Sequence, residues 1–159
     1  MKTFFTSFVR PILETNSILW SPDTVEYIDK IERVQRSFFS KVDGFSTITY
    51  SSRLENVGLN SLQYRRILFD LIFLFKFLTG HVVCNVDKHF NFKAPYITRG
   101  HTFKLDLPDV VNSPTRNKYN YRIVDYWNKL PSCALNCTSI NSFHQCILRS
   151  VHDNLLNNE

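Results

Sequence analysis

A chain of 159 residues that is 43% hydrophobic and 14% aromatic, with four glycines and six prolines, suits one packed domain with at most a small appendage. That composition excludes a disordered or fibrous chain. Its formal charge of +5, from 19 Lys and Arg against 14 Asp and Glu, favours a polyanion or no partner at all.

The first predicted element is a helix over Phe4–Leu19, with Phe4, Phe8, Ile12 and Thr15 on one side. Pro11 interrupts it or begins a second helix. Met1-Lys2 and the phenylalanines after it imitate a secretory leader, but Arg10-Pro11 cuts the apolar run before any cleavage site. Cytoplasm or nucleus is therefore the expected location. Ser21-Pro22-Asp23 then supplies a cap, a first-turn proline and an acid at a helix start. The following helix carries Ile28, Ile31, Phe38 and Val42 inward and three acid-before-base pairs outward: Glu26–Lys30, Asp29–Arg33 and Glu32–Arg36. Gly44 is its expected end. A short helix over Tyr50–Val57, stopped by Gly58, leads into the next segment.

Asn60–Gly80 is the stretch around which the chain is organised. From Ile67 to Leu78 only Asp70 and Lys76 are charged, and the rest is Leu, Ile or Phe, which describes a helix buried on most sides. Asn60 or Ser61 is its cap and Gly80 its left-handed stop. The run is shorter than the ~20 apolar residues of a bilayer span, so no membrane partner is expected. Asp70, an acid in apolar surroundings, calls for an arginine partner or a gap in the packing.

Beyond His81 regular structure thins. Thr102, Lys104 and Asp106 alternate with Phe103, Leu105 and Leu107 as a strand, whose expected hairpin partner is Tyr96–Thr98. Helices resume over Tyr119–Leu130, with Ile123, Trp127 and Leu130 on one face, and after Ser139, with Phe143, Ile147, Val151 and Leu155 in period. The expected fold is mainly α: a bundle around the helix at 60–80, with a loop and β-hairpin near 96–107. Its parts are a helical region (1–80), a basic loop and strand segment (81–118) and a C-terminal helical pair (119–156), packed as one unit.

Three chemistries are compatible with these residue types. Cys133, Cys137, His144 and Cys146 have a zinc-like composition, but His144 and Cys146, two apart on a helix, point ~200° away from each other. Ordinary buried thiols are the expectation, with no metal and no disulfide framework. No nucleophile elbow, phosphate loop or two-metal carboxylate pattern is present, so no catalytic residue is named. Nucleic-acid binding is the best supported. Between His81 and Arg122 stand Lys88, Lys93, Arg99, Lys104, Arg116, Lys118 and Arg122 against Asp87, Asp106 and Asp109, a local net of +4. Arg99, His101, Lys104, Arg116, Lys118 and Arg122 are interleaved with Tyr96, Phe103, Tyr119 and Tyr121. Bases neutralise phosphates, and aromatic faces stack unpaired nucleobases. Lys30 and Arg33 add a second, largely neutralised basic face.

Several segments, in order, resemble the C-terminal end of reverse transcriptases of non-LTR (LINE-type, jockey-like) retrotransposons. They are Phe8-Val9-Arg10-Pro11-Ile12-Leu13-Glu14; Trp20-Ser21-Pro22; Ile31-Glu32-Arg33-Val34-Gln35-Arg36; and Tyr50-Ser51-Ser52-Arg53-Leu54. Next come Gly58-Leu59 with Ser61-Leu62-Gln63-Tyr64-Arg65-Arg66; Thr98-Arg99-Gly100-His101; Arg122-Ile123-Val124-Asp125-Tyr126-Trp127-Asn128-Lys129-Leu130-Pro131; and Ser142-Phe143. Thr15-Asn16 departs from the family's usual Tyr-Ala type pair, and the core helix is more aromatic than its counterparts.

The resemblance implies the thumb and the region after it, a helical grip on the template–primer. The palm, whose paired aspartates hold the metal ions of nucleotide addition, has its Ala-Asp-Asp signature nowhere in these residues. No cofactor is expected here, Mg2+ being implied only for that palm, and no polymerase activity is expected of this chain alone. On this reading the chain is a truncated copy or a partial gene model, with RNA or DNA, the remaining polymerase portion or a second copy as partners. The alternative is a non-catalytic interaction fragment that self-associates through its apolar helix.

Overall fold

The computed structural model describes residues 1–22, 24–83, 85, 90–92, 103–106 and 118–156, with side chains through residue 148. The chain is mainly helical, as expected. It forms two compact units, Met1–Arg66 and Ile67–Glu159. The division falls inside the long apolar helix, whereas the sequence suggested one unit with internal boundaries near 80 and 118.

In the first unit the predicted N-terminal helix is broken into α1 (Lys2–Phe4), a π-helical turn (Phe5–Val9), α2 (Arg10–Glu14) and α3 (Ser17–Trp20). Pro11 is the cause. It has no N–H to donate and its ring crowds the carbonyl four residues back. The turn before it loosens, so that the Arg10 N–H reaches Phe5 O, five residues away. Pro11 then sits in the first turn of α2, where its missing donor costs nothing. Asn16, at φ +55°, takes the left-handed conformation that separates α2 from α3. Trp20 Nε1 donates to Thr15 O at 2.6 Å and closes that break. The predicted inward stripe therefore fails: Phe4, Phe8 and Ile12 are 55%, 64% and 76% exposed. Phe5 is the buried residue instead, its ring centroid 5.0 Å from Phe38 and 5.1 Å from Phe39.

α4 spans Val25–Ser40, with Thr24 as its cap residue and Ser21-Pro22 left outside; Asp23 lies outside the described residues. Lys30–Glu26 and Arg33–Asp29 form as expected, at 2.6 and 3.2 Å. The third pair does not. Arg36 turns to Asp29 at 3.0 Å, and Glu32 turns inward. The buried face is Glu32, Gln35 and Phe39, while Ile28, Ile31, Phe38 and Val42 are half-buried beside it.

α5 occupies Tyr50–Val57, as predicted. Gly58 ends it at φ +61°, and the Leu59 N–H returns to Leu54 O at 2.9 Å. α6 runs over Leu62–Leu78. Ser61 Oγ accepts from the Tyr64 N–H at 3.1 Å. The Leu62 and Gln63 N–H groups donate to the Glu32 carboxylate at 3.0 and 3.3 Å. Three free donors of the first turn are thus satisfied, and a negative charge lies at the positive helix end. Gly80, at φ +74°, is the predicted stop, with the His81 N–H bonded to Lys76 O at 2.9 Å.

The second unit holds the rest of α6, β1 (Asn91–Phe92), β2 (Leu105–Asp106), α7 (Tyr119–Asn128), α8 (Ser132–Leu135) and α9 (Ile140–Leu156). β2 pairs antiparallel with β1, Phe92 opposite Leu105; Tyr96–Thr98, the hairpin partner expected from sequence, lie outside the described residues. α9 starts at a reciprocal cap: the Ser142 N–H donates to Ser139 Oγ at 3.1 Å and the Ser139 N–H to Ser142 Oγ at 3.3 Å. Phe75 stacks on Phe143 at 4.2 Å, and Trp127 lies against the same ring at 6.1 Å. With Leu71, Leu74, Ile123 and Ile147, all fully buried, they form the core of this unit. Each such side chain contributes roughly 1.5–3 kcal/mol on burial.

Candidate nucleic-acid interface

Asn128, on the last turn of α7, holds the strand. Its Oδ1 accepts from the Leu105 N–H and its Nδ2 donates to Leu105 O, both at 2.9 Å. One side-chain amide thereby imitates a neighbouring strand, and Leu105 is fully buried beneath it. Trp127 Nε1 donates to Phe103 O at 2.9 Å, which fixes the residue before Lys104. Lys104 is half-buried at this junction, while Phe103 is 56% exposed.

The N-terminal end of α7 is organised differently. Lys118 is its cap residue and is exposed. The Tyr119 hydroxyl donates to Asp70 O at 2.7 Å, and its ring meets Phe73 and Phe90 edge-on at 5.4 and 6.3 Å. Burial, with the nearby Asp70 charge, pushes the Tyr119 phenol far above the usual tyrosine value. Arg122 is bound in a fork to Asp70, at 2.8 and 3.0 Å, and supplies the arginine partner expected for that acid. Tyr121 is half-buried. Of the residues selected from sequence, Tyr119 and Arg122 thus spend their polar groups inside the unit, and the half-buried Tyr119 ring is engaged by Phe73, Phe90 and the Arg122 guanidinium. Lys118 and the turn that holds β2 stand at opposite ends of α7, ~15 Å apart along its axis. Arg99, His101 and Arg116 lie outside the described residues.

Lys30 and Arg33 belong to the first unit. Both are paired, to Glu26 and Asp29, and Lys30 also lies 5.0 Å from the centroid of the Tyr27 ring.

A cleft of about 300 Å³ in the second unit is walled by Phe75, Leu78, Trp127 and Leu135 and flanked by the exposed Phe92 and Phe103. It is apolar, and Lys104 follows Phe103 directly. Both are accessible aromatic faces; Phe103 stands among the aromatics interleaved with the bases in the sequence, whereas Phe92 lies outside that set. Their exposure follows from a strand pairing that no local pattern encodes.

Among the described residues no group of three or more His, Cys, Asp or Glu is placed to hold a metal ion. No helix among them is long and apolar enough to cross a membrane. No family model, curated protein or solved structure matches this chain.

Proposed function

We propose that this chain is the thumb and post-thumb region of a non-LTR retrotransposon reverse transcriptase, a helical element that grips nucleic acid and carries no polymerase chemistry of its own. The observation that supports the reading joins sequence to structure: residues from separate resembling segments meet one another. Glu14 of the first segment forks onto Arg65 of the fifth. Glu32 and Gln35 of the third bond Tyr50 of the fourth. Trp127 of the seventh packs on Phe143 of the eighth. The reading therefore rests on residues that also build the two units, and not on composition alone.

The contact set favoured by exposure is Lys118 with Phe92 and Phe103, with the half-buried Lys104 beside Phe103, joined by Arg99, His101 and Arg116 on the sequence argument. Arg122 and Tyr119 are positioning residues. Fluorescence anisotropy with a labelled single-stranded RNA and the same sequence as DNA tests this. Raising salt from 50 to 200 mM should weaken binding about twentyfold, the response to roughly three phosphate contacts on a single strand. Lys104→Glu with Lys118→Glu should reduce both affinity and salt slope. Affinity indifferent to salt, or unmoved by those reversals and by Arg99→Glu with Arg116→Glu, would sink the proposal.

A second reading rests on the exposed stripe Phe4, Phe8 and Ile12. α6, the apolar helix first expected to drive self-association, has Leu68, Leu71, Leu74 and Phe75 buried and is spent on the interior. The N-terminal stripe is the better surface for a second copy. Light scattering on a sized sample decides it: a monodisperse monomer at all concentrations removes this reading, and a dimer abolished by Phe8→Glu supports it.

A further inference from the structure

Three thiols, expected from sequence to be ordinary buried cysteines, converge at the α8–α9 junction. Cys133 Sγ lies 3.3 Å from Cys146 Sγ, and Cys137 Sγ donates to Cys133 O at 3.5 Å. Cys133 is exposed, and the other two are half-buried. The carriers are anchored: Ala134 beside Cys133, and Phe143 and Ile147 on either side of Cys146, are fully buried.

We propose that Cys133 and Cys146 form a dithiol site that small disulfides oxidise to an intramolecular disulfide, fastening α8 to the second turn of α9. The sulfurs need close by only ~1.2 Å to reach bonding distance, a movement within the reach of side-chain rotation. With oxidised glutathione as the oxidant, the Cys133 thiolate attacks one sulfur, its S–S bond breaks, and one glutathione thiolate leaves. The Cys146 thiolate then attacks Cys133 Sγ and displaces the second glutathione. The protein loses two protons and two electrons, and one oxidised glutathione becomes two reduced molecules.

The order of attack follows from the surroundings. Burial and the two neighbouring thiols push Cys146 up to about 11, whereas Cys133 stands at the surface. Cys137 is held on a backbone carbonyl and is the competitor to be distinguished.

The test uses the full chain, reduced, desalted and exposed to oxidised glutathione. Chymotrypsin cuts after Leu135 and Phe143 and places the three thiols on separate peptides. The expected product has lost two hydrogens, carries no glutathione on this segment, and links the Cys133 peptide to the Cys146 peptide. Cys146→Ser should instead retain glutathione on Cys133. Linkage mainly through Cys137, or stable glutathione adducts on the unaltered chain, would overturn the proposal.

Discussion

The guanidinium of Arg122 grips the Asp70 carboxylate through two parallel hydrogen bonds, Nε to Oδ2 at 2.8 Å and Nη2 to Oδ1 at 3.0 Å. The side chains are 13% and 6% exposed, so each charge depends on the other for the solvation it gave up. Asp70→Ala should therefore destabilise the second unit by about 3–5 kcal/mol in urea unfolding, because it strands the arginine. Replacing both, Asp70→Leu with Arg122→Met, should cost much less. Equal losses in the two variants would show that packing, not the stranded charge, sets the effect.

Glu32 works in the first unit as a cap supplied from another helix. It accepts from the Tyr50 hydroxyl and from two first-turn N–H groups of α6. Glu32→Ala should lower stability by roughly 2–4 kcal/mol, since it leaves buried donors without an acceptor. Glu32→Gln keeps an acceptor and should lose less. Exposed Glu26→Ala, which removes only a surface pair, should change stability by under about 1 kcal/mol. Chemical denaturation of the three variants gives the ranking directly.

Asn128 both donates to and accepts from Leu105. Asn128→Asp preserves size but replaces the donor with an oxygen facing the Leu105 carbonyl. It should cost about 1–3 kcal/mol and speed amide exchange at Leu105 without altering exchange in α5. Unchanged protection at Leu105 would mean that the strand is held by other contacts.

Tyr119 sets an alkaline limit. Its folded-state value is raised by burial first and by the Asp70 charge second, so the folded chain favours the neutral phenol. That contribution is complete below the unfolded value of about 10 and is lost as pH rises above it, at about 1.4 kcal/mol per pH unit. In a phenolate absorbance titration, Tyr119 should ionise only with unfolding. Tyr119→Phe should remove a single tyrosine's amplitude from that late phase. An unchanged late phase would show Tyr119 ionising within the folded chain.

What the sequence determined by itself was local. α5, α6 and their glycine stops follow from cap residues and apolar spacing, which act within one turn and need no knowledge of distant chain. Pro11 likewise announces a break, because its missing N–H is a property of one residue. The tertiary structure decided every choice among competing partners. Glu32 had an exposed arginine four residues away and instead serves three donors, two of them on α6, because unsatisfied buried donors cost more than a solvated ion pair gains. Asp70 required an arginine, but nothing near it in sequence says that the arginine is Arg122. The same holds for the proposed interface. Composition picked out the bases and aromatics, yet only packing shows that Tyr119 and Arg122 face inward while Phe92 and Phe103 remain open. Long-range partners are set by burial, and burial belongs to the assembled chain rather than to any stretch of it.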